Sequence, residues 1–173
     1  WYGDHRDLHV RSRRQRQMCI RDSYKVAAEY LLLIDESVRG LTVGAPVEYR
    51  GIEIGNVTAI NSFPALDGNI LERDYPIPVL INIYPGKARQ PDTKEGLSAI
   101  KQTIRNWLER DLRASLRMGN VLTGGLYVDL QHVPDADSNS GIEVINGYEV
   151  IPTVSNEFTQ FTQKADAILN KRN

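Results

Sequence analysis

The chain has 173 residues, with 41% apolar and 25% charged side chains, which suits one ordinary globular domain and excludes a disordered or collagen-like chain. Lys+Arg 21 against Asp+Glu 22 leaves a net charge of −1, so the whole chain carries no electrostatic footprint for nucleic acid. One Cys excludes an internal disulfide framework and a thiolate-rich zinc site, and no apolar run reaches the length of a membrane helix.

The first 23 residues differ from the rest. They hold six Arg, the only Cys, and two of the three His, a pattern otherwise read as a basic nucleic-acid arm. The order of residues argues against that reading. Arg13 to Ser23 resembles the translation of a transposase-type sequencing adapter, CGT CGG CAG CGT CAG ATG TGT ATA AGA GAC AGx. Gly3 to His9 matches its upstream half, GGC GAC CAC CGA GAT CTA CAC, in the same frame. Residues 1–23 are therefore expected to be a translated adapter without fold or function, and are set aside. The natural sequence is expected to begin in mid-protein near Tyr24, any signal or membrane anchor lying upstream. Removing six Arg and three Asp leaves 15 Lys+Arg against 19 Asp+Glu, a net of −4, with His132 and Trp107 the sole His and Trp.

Strand signals dominate from Tyr24 to Tyr84. Ala28 to Ile34 is a short apolar run, as expected of a strand buried on both faces. Val47 and Tyr49 alternate with Glu48 and Arg50, and beyond Gly51, Ile52 and Ile54 flank Glu53, the period of half-buried antiparallel strands. Gly55-Asn56 reads as a bulge or turn. Pro64 to Pro76 reads as a loop, and Pro78 to Tyr84 as another strand.

One helix interrupts the strands, with Ile100, Ile104, Trp107 and Leu108 at helical spacing. Period two then returns, placing Leu112, Ala114 and Leu116 on one face. A glycine-flanked loop over 119–125 precedes the strand Tyr127 to Leu130. Ile142 to Ile151 reads as a last hairpin turning at Asn146-Gly147. From Ser155, Phe158, Phe161, Ala165 and Ile168 step by three, four and three, either a heptad seam or the inner stripe of a helix folded back on its own domain. The architecture expected is mainly β, over 24–154, with one inserted helix and a C-terminal helix beginning at 155.

No catalytic machinery is legible. Beyond residue 23 the chain has no Cys, and His132 reads as a surface residue at a strand end. Asp35 and Glu36 are adjacent and would point apart in a strand; no acidic or His cluster has metal-ligand spacing. The glycines around Ile52–Ile54 lie within strand pattern and open no helix, so no phosphate cradle is expected. An enzyme, a cofactor and a metal are not expected. In the 119–125 loop, Val121 and Leu122 sit between glycines that allow a sharp turn. Both side chains either fold back on the core or project outward, an arrangement that suits an oligomer.

The run Ser37-Val38-Arg39-Gly40-Leu41-Thr42-Val43-Gly44-Ala45-Pro46-Val47-Glu48-Tyr49-Arg50-Gly51-Ile52-Glu53-Ile54-Gly55-Asn56-Val57 resembles the signature of the MCE domain, named for mammalian cell entry, as in MlaD-like proteins. Leu112 to Leu116, Leu122-Thr123-Gly124 and Tyr127 to Leu130 continue the likeness, and Gly147 to Ser155 with the following helix resembles the last MCE domain of the paraquat-inducible protein B branch. The resemblance implies a small β-barrel that forms a homohexameric ring, part of a periplasmic tunnel carrying phospholipid between the inner and outer bacterial membranes. It implies an inner-membrane partner, an outer-membrane lipoprotein, and anchoring by an upstream helix. It makes Asn120, Val121, Leu122 and Thr123 the pore-lining residues, with Phe158, Phe161, Ala165 and Ile168 as the seam of a needle-forming helix. The rival expectation is an exported interaction or spacer module that conducts no lipid.

Overall fold

The computed structural model describes residues 26–61, 75–120, 122–133 and 142–155. The expected adapter segment 1–23, the 64–76 loop up to residue 74, Val121, and the helix seam Phe158, Phe161, Ala165 and Ile168 lie outside the described residues.

The strands are β1 (Ala28–Ile34), β2 (Pro46–Tyr49), β3 (Ile52–Ile60), β4 (Ile77–Ile83), β5 (Leu112–Asn120), β6 (Gly125–His132), β7 (Val144–Ile145) and β8 (Tyr148–Val150). The helix α1 (Lys94–Leu108) lies between β4 and β5. All eight strands of the described residues share one curled sheet in the order β5-β6-β2-β3-β4-β1-β8-β7. Most neighbours are antiparallel; β2 with β6 and β1 with β8 run parallel. The fold is thus mainly β with one inserted helix, as the period-two and helical patterns indicate.

The chain beyond β8 bridges β1 and the edge strand β5. Ile151 N–H donates to Leu31 O at 3.0 Å, and Thr153 Oγ1 donates to Leu33 O at 2.7 Å. On the other side, Ala114 N–H donates to Pro152 O and Val154 N–H to Ala114 O, both at 2.9 Å. Residues 151–154 therefore run between β1 and β5 and satisfy backbone groups that an open sheet edge would leave unpaired.

Inward-facing side chains fill the curl. Tyr30 and Leu32 from β1, Val47 from β2, Val79, Ile81 and Ile83 from β4, Leu112, Ala114 and Leu116 from β5, and Val128 and Leu130 from β6 are all buried. Leu31 is also fully buried, so β1 is covered on both faces, with α1 packed against β1 and β5. Ile100, Ile104 and Leu108 form the buried stripe of the helix, and Trp107 is half-buried beside it. Thr93 caps the helix, its Oγ1 accepting from Gly96 N–H at 3.3 Å. Arg105 in its last turn is ion-paired with Glu149 of β8, clamping α1 to the terminal hairpin. That hairpin turns at Asn146 (φ 49°) and Gly147 (φ 87°), the doubly left-handed turn that Asn-Gly favours.

The reading of Gly55-Asn56 as a turn is corrected, because β3 runs unbroken through both. A bulge lies beside them: Val47 pairs with Gly55 and Glu48 with Glu53, which leaves Ile54 as the extra residue, and a second shift falls between Val57 and Ala59. Gly55 is required by close approach instead. A Cβ there would stand 1.9 Å from Asn82 O of β4, so only glycine lets the two strands come together.

Candidate functional site

The hairpin of β5 and β6 carries the one exposed aliphatic tip that the sequence singles out. The strands pair from Leu112↔His132 to Asn120↔Gly125, with a register shift between Met118 and Asn120. Gly124 takes φ 66°, completing the turn. On the face away from the core, Arg117 Nε lies 2.8 Å from Asp129 Oδ2, and its Nη2 donates to Gln131 Oε1 at 2.8 Å. Burial raises the Asp129 carboxyl above its ordinary pKa, and Arg117 draws it partly back. The phenol of Tyr127, opposite Arg117, is raised first by burial and then by Asp129 and Glu48.

A second segment braces the turn. Leu126 N–H donates to Gly40 O at 3.0 Å. A Cβ on Gly40 would lie 2.3 Å from Gly124 O, and Gly40 itself takes φ 98°. Two independent constraints therefore require glycine at position 40, and the tip is held against the loop preceding β2.

From this braced tip Leu122 projects with 96% of its surface exposed, the largest exposure among the described large hydrophobic residues. Met118 and Val43 are also exposed, and Thr123 beside Leu122 is exposed. Of the two conformations open to the Leu122 side chain, the structure takes the projecting one. Asn120 is the final residue of β5, paired with Gly125, whereas Val121 lies outside the described residues.

Sequence reasoning missed a second cluster, at the far end of the same hairpin. His132 does end a strand, but it is not isolated. Its Nδ1 lies 2.5 Å from Asp111 Oδ1 and its Nε2 lies 3.2 Å from Tyr49 Oη. Tyr49 stacks on Trp107 at 4.5 Å between ring centroids, and His132 meets both rings edge-on. Three elements, β2, α1 and β6, converge here with the turn between α1 and β5, and no local spacing announces them. Strand register brings them together: Tyr49 pairs with Leu130, two residues from His132, and Val133 N–H donates to Asp111 O at 3.0 Å. Among the described residues, no group of His, Cys, Asp and Glu is arranged to hold a metal ion. No described helix is long and apolar enough to cross a membrane.

The family model described as "MlaD protein" matches residues 28–133 of this chain. The chain belongs to the MlaD protein family. The match opens on the first residue of β1 and closes one residue beyond β6, so it contains α1 and the whole β5–β6 hairpin. The MlaD region thus includes the exposed tip, while the β7–β8 hairpin and the closing segment 151–154 follow it. Among solved structures, the domain is similar to a chain of the "Acinetobacter MlaFEDB complex in ATP-bound Vtrans1 conformation". That similarity is 14% in identity, with 78% of this chain and 81% of the other covered and a TM-score of 0.39.

Proposed function

We propose that this MlaD-family chain is a subunit of a homohexameric periplasmic ring through which phospholipid passes between the inner and outer bacterial membranes. Membership of the family supports a role in membrane lipid handling. The observation that carries the finer reading is Leu122, a leucine held almost fully in water at the tip of a braced hairpin. Burying such a side chain is worth about 1.5–3 kcal/mol, so its exposure in one copy is wasteful unless something apolar meets it. Repetition around a cyclic axis turns one projecting loop into a closed collar. Val121 and Leu122 form the apolar part of that collar, and Asn120 and Thr123 frame it.

The energetics fit a conduit. A sixteen-carbon tail in water costs about 0.8 kcal/mol per methylene, roughly 12 kcal/mol in all. An apolar wall removes that cost without bond making or breaking, so the role calls for no enzyme and no cofactor. The sequence likeness to the last MCE domain of the paraquat-inducible protein B branch supports a needle-forming helix after residue 155, its seam Phe158, Phe161, Ala165 and Ile168. It also supports an inner-membrane partner, an outer-membrane lipoprotein and an anchoring helix in the parent protein.

The test is Leu122→Asp in the complete parent protein, with lipid transfer between vesicles as the readout. The conduit predicts a folded hexamer that no longer transfers lipid. A folded hexamer with unchanged transfer would leave the spacer or interaction module as the better account.

A further inference from the structure

A cavity of about 320 Å³ opens at the opposite end of β6 from the exposed tip, between α1, the β2–β3 turn and the segment following β4. Its size falls at the low end of the roughly 300–1,000 Å³ typical of small-molecule sites. The floor is aliphatic and aromatic: Ile54, Ile83, Ile100 and Ile104, walled by Tyr49 and Trp107. The four isoleucines are buried, so the floor is part of the folded core and is formed before any ligand arrives. The mouth carries Ile52, 58% exposed although it lies in a strand.

The charge at this mouth is one-sided. Lys87 Nζ lies 2.6 Å from Glu53 Oε1 with its side chain mostly buried, so that pair is close to neutral. Arg89 beside it is exposed, and among the described residues its guanidinium has no ion-pair or hydrogen-bond partner. Its backbone takes φ 59°, an uncommon conformation for a non-glycine residue that turns the chain sharply at the cavity rim. The Tyr49 wall is fixed from behind by His132 and by its stack on Trp107.

We propose that this cavity binds a single-chain amphiphilic anion, its alkyl chain on the isoleucine floor and its head group at Arg89. A neutral chain would satisfy the floor but leave Arg89 without a counter-ion, and a cationic one would be repelled. The site goes beyond the pore reading and does not depend on it, because it uses none of the residues of the tip.

Trp107 supplies the assay, because the chain has two Trp and Trp1→Phe leaves Trp107 as the sole indole. Dodecanoate, kept below its micelle concentration, is titrated against the Trp1→Phe chain with emission as the signal, and dodecyl maltoside serves as the neutral control. The expected result is a saturable change with dodecanoate, at least tenfold weaker with the maltoside and at least tenfold weaker for Arg89→Glu. Glu53→Gln is expected to strengthen binding by releasing Lys87, and Ile52→Asp to weaken it. Positions 52, 53 and 89 are exposed, so the variants are expected to fold, which circular dichroism verifies. Leu122→Asp should leave the titration unchanged, separating this site from the pore. A signal that does not saturate, equal affinity for the two probes, or indifference to Arg89→Glu overturns the proposal.

Discussion

Two leucines of one hairpin should respond to truncation in opposite ways. Leu130 in β6 is fully buried, whereas Leu122 at the tip is 96% exposed. Truncating Leu130 to Ala removes core contacts and leaves a cavity, which costs about 2–5 kcal/mol. Truncating Leu122 to Ala removes atoms that touch mostly water, so the change should stay within about 0.5 kcal/mol. For a chain of this size one kcal/mol moves the midpoint by roughly 2–4 °C, so Leu130→Ala should melt about 4–20 °C lower and Leu122→Ala within about 2 °C of the parent. Urea and thermal unfolding followed by circular dichroism measure both. A loss above about 1 kcal/mol at Leu122 would mean that its side chain stabilises the fold, and the argument that exposure marks function would collapse.

Other consequences are equally concrete. Gly55→Ala places a methyl 1.9 Å from Asn82 O, so β3 and β4 must separate; soluble yield and urea midpoint should both fall sharply, and an unchanged midpoint would contradict the close approach. Tyr30 is buried, and its hydroxyl has no partner among the described residues, so Tyr30→Phe should hold or raise stability by about 1 kcal/mol; a clear loss would reveal a hydrogen bond made there. Burial, with Glu149 adding to it, pushes the Tyr30 phenol far above its ordinary value of 10.0, while an unfolded tyrosine still ionises there. Stability should therefore be intact below that pH and fall above it, by up to about 1.4 kcal/mol per pH unit from this one group. The slope should shrink in Tyr30→Phe, and identical slopes in the two proteins would refute the shift.

Much of the fold was legible because its elements obey simple periods. β1 reads as a doubly buried run, the helix shows its stripe at Ile100, Ile104 and Leu108, and Asn146-Gly147 announces its turn. What stayed hidden depends on distant parts of the chain. Gly55 looks like a turn residue until β4 is laid against it. Ile52 shares an alternation with Ile54 and lines the same cavity, yet is exposed, because it opens β3 at the cavity mouth. Arg113 and Ser115 occupy the polar positions of β5 but are buried, since α1 and the returning 151–154 segment reach that strand. Of the candidate site, the sequence located the loop but left the direction of Leu122 open. The Asp111–His132–Tyr49 chain, assembled from β2, β6 and the turn between α1 and β5, had no local signal at all.

The most direct measurement is photo-crosslinking from position 122 in the complete parent protein, expressed in bacteria with radiolabelled phospholipid. Lys101, exposed on α1, serves as the control position. The conduit predicts labelled lipid attached at 122 and none at 101, from a protein that runs as a hexamer. A hexamer with no lipid at 122, or with equal labelling at both positions, would contradict it.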